Sequence, residues 1–114
     1  MRYVLMFIDP EKYVADLAAM PEDDRNQVYA AVEKWFADLG DKYLHGSHLR
    51  PPETATTVRK ESGESIMTDG PFIEGKEVVS GFVEIQVEDL DEALRLVESW
   101  PGCPTVELRP VYEH

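Results

Sequence analysis

A second cysteine, a long apolar run and a balance of charge are what this 114-residue chain lacks. With Cys103 alone, no internal disulfide can form. No His or basic residue lies near it in sequence to depress the thiol pKa, so a structural thiol is expected rather than a nucleophile. The N-terminal apolar run is too short for a signal-peptide core or a membrane span, which predicts a cytoplasmic protein with no membrane association. Lys and Arg number 11 against 23 Asp and Glu, and the formal charge of -12 repels phosphate backbones and anionic lipid alike. Nucleic acid is therefore not an expected partner. The chain also has no glycine-rich phosphate loop, dinucleotide fingerprint, nucleophile elbow or zinc-ligand cluster, so the expected site has no cofactor and no metal.

What is present reads as one globular domain over residues 1–114: hydrophobic residues make up 43% and charged residues 30%. Arg2 to Ile8 is a strand whose two alternating sets, Tyr3, Leu5, Phe7 and Val4, Met6, Ile8, are both apolar. Pro21 followed by Glu22, Asp23 and Asp24 opens a helix expected to reach Leu39, with Val28, Val32, Trp35 and Leu39 on one stripe and Gly40 at its end. Tyr43 to Pro52 combines a short extended piece with a loop. Thr54 to Lys60 and Ser65 to Thr68 flank the turn Ser62-Gly63-Glu64 and predict a hairpin. Gly81 to Val87 is a strand with Val83, Ile85 and Val87 on one face and Phe82, Glu84 and Gln86 on the other. Asp89 and Glu92 form a capping box before a second helix that ends near Pro101, and Thr105 to Val111 is the last strand.

The order predicts an α+β, ferredoxin-like β-α-β-β-α-β fold with an extra hairpin, its helices on one face of an antiparallel sheet. The other face then carries one of the two apolar sets of the first strand, together with Phe82, with no layer of its own to cover them. A second copy is the simplest cover, so a homodimer is expected.

Asp69-Gly70-Pro71 marks a tight, pinned turn. Through Thr68-Asp69-Gly70-Pro71-Phe72, Glu74, Lys76-Glu77, Gly81-Phe82, Asp91-Glu92-Ala93 and Glu107-Leu108-Arg109-Pro110-Val111, the chain resembles the YCII-related family, specifically its DGPF branch. The resemblance spans nearly the whole chain. It implies a small dimeric α+β barrel with a pocket near the sheet and the subunit interface. Roles proposed for the branch are small-molecule enzyme chemistry, by analogy with relatives that eliminate chloride from aromatic ring products, and accessory functions near sigma-factor genes. The broader family's proposed His and Asp dyad takes its His from the first helix, whereas no His lies between Pro21 and Leu39 here.

Two candidates follow for acid and base chemistry. Asp69 reads either as a general base or ligand-orienting carboxylate, or as the cap of an Asx-type turn. His48, favoured over His45, is suited to proton transfer near neutral pH. At a spacing of three, His45 and His48 would share a helical face for a metal, but Gly46 and the nearby prolines oppose a helix. Phe72, Glu74, Lys76 and Arg109 are the expected substrate-binding residues, the aromatic walling an apolar surface and the cations receiving an anionic group. The alternative to an enzyme is a non-catalytic ligand-binding or protein-interaction module with a link to transcriptional regulation, in which the turn is a latch.

Overall fold

The computed structural model describes residues 1–71 and 77–113. Among these described residues, six strands and three α-helices follow in the order β1 (Arg2–Pro10), α1 (Glu11–Ala19), α2 (Glu22–Leu39), β2 (Tyr43–His48), β3 (Thr56–Glu61), β4 (Glu64–Asp69), β5 (Glu77–Gln86), α3 (Leu90–Glu98) and β6 (Thr105–Pro110). The main sheet has the order β2-β5-β1-β6, and every pairing in it is antiparallel. With β3 and β4 set aside as a separate two-stranded sheet, this is the ferredoxin-like topology.

Strand alternation decides which residues form the core. Tyr3, Leu5 and Phe7 of β1 and Val83 and Ile85 of β5 point to the helix side and are buried with Trp35, Leu39 and Ala93. Trp35 ties the helix layer together, its Nε1–H donating to the Leu96 carbonyl at 3.0 Å and the Ser99 hydroxyl at 3.1 Å. Aromatic rings fill the space above Phe7. Its centroid lies 4.4 Å from that of Trp100, and Trp35 and Phe36 meet it edge-on.

The capping box at α3 has a variant form. Asp89 Oδ1 accepts from the Glu92 N–H at 2.9 Å, while Glu92 Oε1 accepts from the Glu88 N–H, one residue earlier than the usual reciprocal bond. The hairpin turn places Ser62 at φ 50° and Gly63 at φ 81°, two consecutive left-handed residues as a two-residue connection requires. Helix α1 is the element not foreseen. It starts at Pro10 without a side-chain cap, is braced by Lys12 Nζ to Asp16 Oδ2 at 2.7 Å, and lays Tyr13 against the core.

Candidate functional site

Two polar clusters sit on opposite faces of the main sheet. The first lies at the end of the sheet where β1 runs into α1. Phe7 pairs with Gly81 and Ile8 with Val79, which leaves Ser80 as the extra residue of a β-bulge. Bulges re-aim side chains, and this one aims Ser80 at β1: its hydroxyl lies 3.0 Å from Asp9 Oδ1 and 3.3 Å from the Phe7 carbonyl. The Ser80 carbonyl in turn accepts from the Leu49 N–H at 2.8 Å, fixing the chain that follows β2. His48 pairs with Gly81, the neighbour of Ser80, and so stands at the same end. Gly81 is required there, since a Cβ would come within 2.8 Å of the Ser47 carbonyl oxygen.

Tyr13 and Cys103 face the same carboxylate. Burial raises the Tyr13 phenol above its ordinary value of 10.0, and the charge of Asp9 adds to the rise. Burial likewise raises the Cys103 thiol above 9.0; Trp100 opposes that rise, and the charge of Asp9 reinforces it. The Trp100 indole N–H is buried without an acceptor in bonding geometry, so its pull on the sulfur is a near contact rather than a formed hydrogen bond. Cys103 is thus a neutral, buried thiol, poorly suited to nucleophilic attack.

Raised pKa values set a direction for stability. Both groups hold their protons more tightly in the folded than in the unfolded chain, so their contribution is complete below the ordinary cysteine value of 9.0 and is lost as pH rises through the folded values. The urea midpoint is expected to fall above about pH 9, and Tyr13→Phe to shrink that fall. A Tyr13→Phe variant with the same alkaline slope as wild type would remove Tyr13 from the effect.

The second cluster lies on the face without helices. In register across the sheet, His45 pairs with Glu84, Glu84 with Val4, and Val4 with Arg109. Glu84 is only 8% exposed. Arg2 Nη1 lies 3.2 Å from its Oε1 and His45 Nε2 lies 2.6 Å from its Oε2. A carboxylate can only accept, so His45 donates from Nε2. Arg2 also reaches Glu113 at 3.2 Å and holds that carboxyl below its ordinary value.

The residues singled out in the sequence lie in three places. Asp69 ends β4, is exposed, and pairs with Thr56 in the hairpin. Its neighbour Gly70, at φ 102°, is pinned: the Gly70 N–H donates to the Ala55 carbonyl at 2.7 Å, and the Thr57 hydroxyl donates to the Gly70 carbonyl at 2.7 Å. His48 is exposed at the edge of the main sheet. Arg109 is exposed on the helix-free face, with its Nε 3.1 Å from Glu107 Oε2. Phe72, Glu74 and Lys76 lie outside the described residues. Among the described residues no hydrogen bond joins Asp69 to His48. His45 and His48, three apart on a strand, fall on opposite faces and do not converge as they would on a helix.

Asp9, Ser80 and Glu84 were not foreseen as site residues. Glu84 did carry a signal, as a carboxylate on a strand between Val83 and Ile85. Separately, an open groove of about 300 Å³ runs between α2 and α3, lined by Lys34, Trp35, Asp38, Leu96 and Ser99 among others; it shares no residue with either cluster.

These features define a ferredoxin-like α+β protein with a carboxylate held at the end of its sheet and a helix-free face. The chain belongs to the YCII-related family, whose domain model matches residues 1–113. A relative from Rhizobium meliloti (strain 1021), the uncharacterized protein R00369, is 34% identical over 116 residues, covering 97% of this chain and 92% of that one. A solved structure of similar fold is the 5-chloro-2-hydroxyhydroquinone dehydrochlorinase TftG from Burkholderia phenoliruptrix AC1100, in complex with 2,5-dihydroxybenzoquinone. It aligns with a TM-score of 0.53 at 16% identity, over 100% of this chain and 96% of that chain.

Proposed function

We propose that this protein is a cytoplasmic homodimer that binds a small hydroxylated molecule at the β1–β5 end of its sheet and moves a proton there without a cofactor. The observation that carries this reading is the Asp9 carboxylate held by the Ser80 hydroxyl inside a bulge. Asp9 is the acceptor for a ligand hydroxyl, Ser80 orients it, and His48 across Gly81 supplies the second proton-transfer group. Strand β5 begins at Glu77, opposite Pro10 at this same end. A solved neighbour of this fold holds a dihydroxybenzoquinone, which makes that compound and its hydroquinone the natural first probes.

Two-dimensional NMR titration with these two compounds tests the reading. Shifts are expected to centre on Asp9, Ser80 and His48, and Asp9→Asn to weaken binding about tenfold or more, the scale of a lost hydrogen bond to a charged group. Shifts confined to the α2–α3 groove, or equal affinity in Asp9→Asn, would overturn it.

One observation favours the non-catalytic reading for the Asp69 turn itself. Gly70 is latched through both its N–H and its carbonyl, and the Asp69 carboxylate is exposed. On this view the turn holds the hairpin in place, and Asp69→Asn leaves ligand affinity unchanged.

A further inference from the structure

Among the described residues, the hairpin β3–β4 packs extensively only between its own two strands, and all of its strand residues but Thr57 are exposed. A lone two-stranded hairpin is marginal in water. This one also presents an apolar pair: Val58 and Met67 lie opposite each other in register and are 51% and 73% exposed. Thr56 pairs with Asp69 two residues along, so Asp69 shares that face.

The hairpin does not fold back to cover the open sheet face of its own chain. The molecule measures 46 × 45 × 18 Å, and a further layer over the sheet would add roughly 10 Å to its thin dimension. Its radius of gyration is 16.4 Å, against about 13 Å for a compact chain of this length. The hairpin therefore projects sideways.

Area then indicates what covers it. From strand lengths and spacing, the open face of the main sheet offers about 500 Å² and one hairpin face about 200 Å². Two sheet faces alone bury roughly 1,000 Å² in total, at the low end for a stable pair, whereas adding both hairpins brings the total to about 1,400 Å², within the range of standard interfaces.

We propose that the β3–β4 hairpin is an arm that packs in trans on a second copy of this chain through Val58 and Met67, carrying Asp69 to the subunit junction. The proposal rests on the homodimer reading above. The arm completes the dimer, with the exposed Asp69 side chain lying at the junction.

A photoreactive benzoylphenylalanine at position 67 tests this directly. Illumination of the otherwise intact chain is expected to give a covalent dimer, and products confined to one chain would overturn the proposal. The double variant Val58→Lys and Met67→Lys changes exposed side chains, so it is expected to keep its circular dichroism while its dimer dissociation constant rises tenfold or more. An unchanged constant in that variant overturns the arm and leaves the dimer standing. A wild-type chain that stays monomeric overturns both.

Discussion

Gly46→Val is expected to lower stability by about 3 kcal/mol or more, seen as a fall in the urea midpoint. Gly46 sits in β2, the edge strand, opposite Val83. A Cβ there would lie 2.6 Å from the Phe82 carbonyl oxygen and 3.0 Å from the Val83 Cα. Neither atom is the tip of a flexible side chain. The backbone of β2 or β5 has to shift, and the ladder that holds His45 against Glu84 and His48 beside Gly81 opens with it. Gly46 is not among the residues with positive φ, so the cost is steric rather than conformational. Ser47→Ala next door serves as the control, expected within about 0.5 kcal/mol of wild type because it adds no atom and Ser47 is exposed. A Gly46→Val midpoint equal to that of the control would show that β2 does not pack this closely on β5.

Met6→Glu has the other large expected effect, a rise of a hundredfold or more in the dimer dissociation constant with little change in the fold of the single chain. Met6 is on the helix-free face between Phe82 and Glu107 in register. In a single copy a carboxylate there meets water. In a dimer joined through this face it is desolvated beside Glu107, whose carboxylate already engages the nearby Arg109 guanidinium, a penalty of several kcal/mol. Leu5, one residue earlier, points the other way and is 0% exposed. A charge at Leu5 would unfold the chain, whereas a charge at Met6 would separate copies of it. Equal dimer affinity in Met6→Glu and wild type would place the subunit contact elsewhere.

The strands were legible, and so was the face that β5 buries, because its period-two alternation is written in residue type; β1, apolar in both of its alternating sets, was legible as a strand but not as to which set faces the helices. Val83 and Ile85 went inward and Phe82 and Glu84 outward as the pattern requires. The hairpin and the α3 cap were legible for a similar reason, since Ser62-Gly63 and Asp89 with Glu92 are local chemistry. Helix α1 was not, because its start lacks a capping side chain and its stability comes from Tyr13 meeting the core. The Asp9–Ser80 contact was hidden for a different reason. It depends on a one-residue register shift between two strands some seventy positions apart, and no local pattern encodes that. The His45–Glu84 contact needed the same non-local register. Glu84 is buried because Arg2 and His45 reach it from β1 and β2, not because of anything beside it in β5.

Sedimentation velocity of the wild-type chain from about 1 to 100 µM, at about 150 mM salt so that repulsion between two chains of charge -12 is screened, bears most directly on the shared sheet face. A species of twice 13.0 kDa, dissociating only toward the dilute end, is the expected result. A single 13.0 kDa species across the whole range would contradict it.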